Sequence, residues 1–190
     1  SIGYQASIVI TPQQEADIDI KATLNNLLIP YTSNYAGTLL PGIREYTVTP
    51  GEKTTTISGK GKAGLKQEEN YYFFYLPVCY KGITGKSYAY YNTSRSKNLY
   101  LPASVDENYS YDIQLPENLT LCTPIQEKKI DNPIGSFKIT LTSEGSSLHI
   151  ELALQIKKQL ITPAEYPAFR SLITEWTDRT RKPILFKTVQ

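Results

Sequence analysis

Strict alternation of apolar and polar residues is the pattern that most restricts what this chain can fold into. Ile18, Ile20, Ala22 and Leu24 alternate with Asp17, Asp19, Lys21 and Thr23, the two-residue period that sets one face of a strand on a core and the other in water. Phe137, Ile139 and Leu141 alternate in the same way with Lys138, Thr140 and Thr142. After the turn residues Glu144 to Ser147 the period resumes as Leu148, Ile150, Leu152, Leu154 and Ile156, which predicts a long β-hairpin. Further strands are expected at Tyr4–Ile10, Thr54–Ser58, Asn70–Leu76, Lys86–Tyr91 and Asn108–Leu115, with a short last one at Ile184–Val189. With 12 Pro and 11 Gly punctuating the gaps, the pattern predicts a mainly β fold, either an antiparallel β-sandwich or two packed β subdomains, with one C-terminal α-helix.

That helix is expected near residues 163–181. Thr162 with Glu165 three positions on forms a capping box, and Pro163 suits the first helical position. Tyr166, Phe169, Ile173 and Trp176 succeed one another at spacings of three and four as one apolar stripe, and Pro183 ends the segment. Pro167 lacks the N–H that an interior helical residue donates, so the regular helix can instead begin at Pro167, after a separate turn. The stretch Gly59–Asn70, with three Gly and three Lys, is expected to be a flexible basic loop or a junction between an N-terminal β region, residues 1–66, and a C-terminal β domain, residues 67–190.

Composition narrows the function classes. The 190 residues are 40% hydrophobic and 20% charged, enough to bury a sizeable core. A net charge of +2 supplies no electrostatic reason to expect nucleic acid as a partner, and no apolar run reaches the roughly 18 residues of a membrane span. The absence of Met and the opening at Ser1 are expected of a processed chain or an excised domain.

Little in the chain could build a catalytic centre. Gly59, Gly61 and Gly64 spell a literal G-x-G-x-x-G, but the dinucleotide fold needs a helix directly after that motif, and the next segment here is the strand-like Asn70–Leu76. His149 is the sole histidine, and it falls in phase with Glu151, Ala153, Gln155 and Lys157, opposite the apolar set, where a solvated imidazole is expected. Cys79 and Cys122 lie too far apart for a C-x-x-C metal pair and neither begins a helix, so both are expected to be separate buried thiols, with a Cys79–Cys122 disulfide as the alternative. An enzyme reading would require one of these thiols beside His149. Asp17 and Asp19 share a strand face with Lys21, as a solvated surface would. No catalytic residue, metal ligand or cofactor is therefore assigned.

The one compositional excess is tyrosine. Ten of the 15 Tyr lie between Tyr71 and Tyr111. They can serve as strand formers filling an aromatic core, or as the flat faces on which a glycan or an extended peptide stacks. On the second reading Tyr72, Tyr88, Tyr90, Tyr91 and Tyr100 form the candidate ligand surface.

The order of patterns in the C-terminal part is also familiar. Arg95, ENYSYDIQLPENL at Glu107–Leu119, NPIGSF at Asn132–Phe137, the alternating hairpin, IKKQLITPAEYPAFRSLITEW at Ile156–Trp176 and ILFK at Ile184–Lys187 together resemble a C-terminal domain of unknown function. That domain comes after the catalytic domain in bacterial transglutaminase-like envelope proteins, notably from Bacteroidetes. The resemblance covers roughly residues 70 to 190. It implies a non-catalytic accessory or interaction domain, exported to the periplasm or cell surface, whose partner is the preceding catalytic domain of the parent chain. That family's catalytic Cys, His and Asp belong to the preceding domain and have no counterpart here. An independent glycan- or peptide-binding module is the alternative.

Overall fold

The computed structural model describes residues 14–25, 43–78 and 94–189. The expected strands Tyr4–Ile10 and Lys86–Tyr91 lie outside these. Alternation becomes structure in β1 (Glu15–Asn25), where Ala16, Ile18, Ile20, Ala22 and Leu24 are buried and the residues between them are not. The same inside-out pattern builds β7 (Val105–Gln114), β10 (Gly135–Glu144) and β11 (Ser147–Ile156). Together with β2 (Ile43–Pro50), β3 (Thr54–Gly64) and β9 (Gln126–Asn132), they form one antiparallel seven-stranded sheet in the order β2-β3-β1-β7-β11-β10-β9.

Register carries the core across this sheet. Ile20 lies opposite Tyr111, Tyr111 opposite Ile150, and Ile150 opposite Leu141. The neighbouring row runs Ile57, Ala22, Tyr109, Leu152, Ile139. A one-residue slip at any pairing would send its apolar set into water, so burial of a single face specifies the register. Between β10 and β11 the loop is two residues long, since Glu144 pairs with Ser147. Gly145 sits at its first central position with φ +60°, where a type II′ turn requires glycine. Both outer strands of the sheet resist further pairing: β2 carries an irregularity between Ile43 and Glu45 and ends in Pro50, while β9 presents Lys128 and Lys129.

The second layer consists of a helix and a smaller sheet. The helix α1 (Tyr166–Arg181) packs on β10 and β11 and buries Tyr166, Phe169, Ile173 and Trp176, joined by Leu172 and Thr177. The expected stripe is thus the buried face. The capping box also forms: the Glu165 N–H donates to Thr162 Oγ1 at 3.3 Å, and the Thr162 N–H donates to Glu165 Oε2 at 3.0 Å. It closes a turn immediately before the helix, which begins at Tyr166 with Pro167 in its first turn. The start lies three residues after Pro163 and within one residue of the alternative start at Pro167, because Pro167 is best placed where no intrahelical N–H is needed. Beside the helix lies the antiparallel sheet β4-β5-β13-β8, made of β4 (Lys66–Glu68), β5 (Tyr71–Phe74), β13 (Ile184–Thr188) and β8 (Leu119–Leu121). Its inner residues Phe74 and Phe186 stack at 5.8 Å within the core that also holds the large sheet's buried face. A pair of two-residue strands, β6 (Leu99–Tyr100) and β12 (Leu160–Ile161), contributes Leu99 and Ile161 to the same core. The architecture is mainly β and antiparallel, an open sandwich with one helix near its C-terminus.

One expectation is corrected. The Gly59–Gly64 stretch is the second half of β3, paired with β1 from Ile20↔Gly59 to Glu15↔Gly64, and not a flexible loop. Its inward positions are Gly59, Gly61 and Ala63, too small to register as an apolar period, while Lys60 and Lys62 point outward toward Asp19 and Asp17 at 3.6 and 3.8 Å. At Gly59 a Cβ would fall on Ile43 Cγ2 of the neighbouring strand, so glycine is what lets β2 approach. Residues on both sides of position 66 consequently share one sheet and one core.

Candidate functional site

The described tyrosines of the strands divide by parity. Tyr109 and Tyr111 are core residues, stacked at 6.1 Å, with Tyr109 also 5.9 Å from the Trp176 ring. The Tyr111 hydroxyl donates to the Pro77 carbonyl at 2.6 Å, tying the large sheet to the segment after β5. Burial, with the Glu107 charge as a lesser cause, raises the Tyr111 pKa well above that of an ordinary phenol. These rings fill an aromatic core.

Of the five tyrosines read as a ligand surface, Tyr88, Tyr90 and Tyr91 lie outside the described residues. Tyr72 points inward on β5, opposite Phe186, and is half-buried against the core. Tyr100, on β6, is 72% exposed and lies opposite the exposed Leu160. The outward positions of β5 and its extension belong to Tyr71, Phe73 and Tyr75, with Leu185 of β13 opposite Phe73. Phe73 and Tyr75 meet edge to face at 6.3 Å, and Tyr71 and Tyr75 are each 48% exposed. This row is the described aromatic surface, and it is one residue out of phase with Tyr72. Phe74, the most buried residue of β5, sets that phase.

The solvated face of the large sheet carries His149. Its Nδ1 lies 2.7 Å from Asp112 Oδ1 on the facing strand, and its Nε2 lies 3.6 Å from Glu151 Oε1. Lys138 reaches Glu151 at 3.2 Å. The hydrogen bond to Asp112 raises the His149 pKa above its ordinary value, and the hydrogen bond from Lys138 lowers that of Glu151. Such a chain of half-exposed charges fixes side-chain orientation and contributes little to stability.

The described thiol, Cys122, stands apart from this histidine. Cys79 is outside the described residues, and Cys122 is a half-buried free thiol just beyond β8, where its N–H donates to the Leu185 carbonyl. Cys122 borders a groove with Ile139 and Leu141, residues of the large sheet's buried face. His149 projects from the opposite face, so the sheet itself separates the two. Among the described residues no group of His, Cys, Asp or Glu is arranged to hold a metal ion, and no helix is long and apolar enough to cross a membrane.

These features define the class, an antiparallel β-sandwich domain with an aromatic outer row and a polar, ion-paired sheet face. The chain belongs to the family described as "Domain of Unknown Function with solved-structure structure (DUF3858)", whose sequence profile matches residues 70–186. It is similar to a crystal structure described as "a putative protease from Parabacteroides distasonis", with 31% sequence identity and a TM-score of 0.54. That match covers 63% of this chain and 24% of the other, so this chain corresponds to less than a quarter of that protein. No curated protein matches.

Proposed function

We propose that this chain is a non-catalytic accessory or interaction domain of a longer, exported cell-envelope protein, packing on a transglutaminase-like catalytic domain that precedes it. The observation that carries this reading is the match to only 24% of a chain described as a protease. In that protein a domain like this one accompanies a much longer polypeptide. Peptidases of the cysteine class and transglutaminases share the thiolate attack that forms an acyl-enzyme and differ in whether water or an amine resolves it. A protease relative is therefore compatible with a transglutaminase-like neighbour. The separation of Cys122 from His149 by a full sheet favours placing any thiol chemistry outside the described residues. The docking surface is assigned to residues 1–66, the end of this chain nearest a preceding domain, and interfaces of this kind bury on the order of 600 to 1,500 Å². Periplasmic or cell-surface location goes with the same reading.

Hydrogen exchange across this chain, with and without the separately expressed catalytic domain, is the test. Protection within residues 1–66 is the expected result. A second reading, a glycan- or peptide-binding module, draws on the exposure of Tyr100, Tyr71 and Tyr75. Protection confined to the region from Tyr71 to Tyr111 on adding glycans or peptides, with none from the catalytic domain, would replace the first reading by the second. The non-catalytic assignment is tested by alkylating both thiols: ordinary rates, unchanged in His149→Ala, are expected, and a hyperreactive thiol that depends on His149 would overturn it.

A further inference from the structure

The segment leading into β6 and the first half of α1 enclose an open surface pocket of about 570 Å³. Its floor is the buried Tyr166, 3% exposed, and its accessible apolar lining is Pro163 and Pro167, with Ile130 beside them. Two guanidinium groups border it. Arg95 Cζ stands 5.9 Å from the Tyr166 ring centroid, a cation–π placement. Arg170 lies one helical turn beyond Tyr166 on the same face. Burial raises the pKa of the Tyr166 phenol, and the charges of Arg95 and then Arg170 oppose that rise.

The carboxylates nearby are engaged elsewhere. Glu175 lines the pocket but holds Lys128 at 2.6 Å, and Glu165 is taken by Lys158. Among the described residues neither Arg95 nor Arg170 forms an ion pair. Two always-charged groups lining one pocket repel each other, and an oxyanion between them would relieve that repulsion with paired N–H donors. We infer that this pocket binds an oxyanion, a carboxylate or a phosphate, carried on a flat apolar group that packs against the exposed rings of Pro163 and Pro167. The site does not depend on the accessory role, and either reading can fail without the other.

The test monitors the Arg Nε–Hε signals of the labelled chain by NMR. N-acetylphenylalanine and phenyl phosphate are titrated in against their neutral counterparts, N-acetylphenylalanine amide and phenol, at matched ionic strength. Either anion, or both, should shift the Arg95 and Arg170 signals where the neutral molecules do not, and the tighter of the two tells carboxylate from phosphate. Arg95→Gln and Arg170→Gln should each weaken binding about tenfold or more, as expected for a lost charge-assisted hydrogen bond. An unshifted Trp176 indole signal would show that the fold persists in each variant. Silence of both anions at millimolar concentration, an equal response to the neutral analogues, or undiminished binding by the double variant would overturn the inference.

Discussion

At the scale of single residues, His149 and Tyr111 show how a strand neighbour controls a side chain. His149 is held by Asp112 at 2.7 Å and its pKa is raised above the ordinary 6.5. The folded state therefore favours the protonated ring. The stabilisation is fully present below pH 6.5 and is lost as pH rises through the higher folded value. An NMR titration of the ring should find its midpoint above 6.5, and Asp112→Asn should move it down; a midpoint unmoved by that substitution would remove Asp112 as the cause. Tyr111→Phe strips the Pro77 carbonyl of its donor at a part-buried site, for an expected loss of about 1 to 3 kcal/mol in urea denaturation. Parity explains which residues were legible in sequence. The solvated side of His149 comes from the clean alternation of β11, whereas the aromatic run Tyr71 to Tyr75 has no polar partner to mark its outer face, so nothing local tells that Tyr72 is the one turned inward. Glu107 is likewise hidden: β7 starts three residues before the expected Asn108, and this carboxyl, 1% exposed, falls in register between Leu24 and Leu154. Arg95 and Arg170 stand far apart in the chain, and no spacing rule joins them.

Elements with a strong period are the ones whose place could be read in advance. The stripe of α1 fills the core with Trp176 at 1% exposure and Phe169 at 0%. Trp176→Ala should thus cost about 3 to 5 kcal/mol in chemical denaturation, and a loss below about 1 kcal/mol would mean that the stripe is not packed as seen. Thr162→Ala removes the acceptor for the Glu165 N–H and should cost about 1 kcal/mol, leaving the helix in place by circular dichroism. The second half of β3 escaped the same reasoning because its inward residues are glycine and alanine. Their fit depends on the closeness of Ile43 from β2, a contact between strands joined through a loop.

At the scale of the whole molecule, the described residues share one core built from segments far apart in sequence. Pairing of β1 with β7 runs from Asp17↔Gln114 to Leu24↔Glu107, across the position near 66 where the composition shifts. A fragment of residues 67–190 would expose that edge of β7 and the apolar ends of its row, a ready template for association. Its expected behaviour in size-exclusion chromatography is aggregation or an expanded state, against a monomer of normal size for residues 1–190; a compact monomeric fragment would show that β1 to β3 are dispensable. Sequence by itself determined the class of this protein: the long hairpin, the amphipathic helix with its capping box, the last strand and the polar setting of His149 all arise from local periodicity and turn chemistry, which act within a few residues. Tertiary structure alone decided the order of the seven strands, the inward turn of Tyr72, the burial of Glu107, the sheet placed between Cys122 and His149, and the placing of Arg95 and Arg170 along one pocket. Each of these depends on which surfaces close over one another when a single apolar face is buried, and that information is distributed over the whole chain.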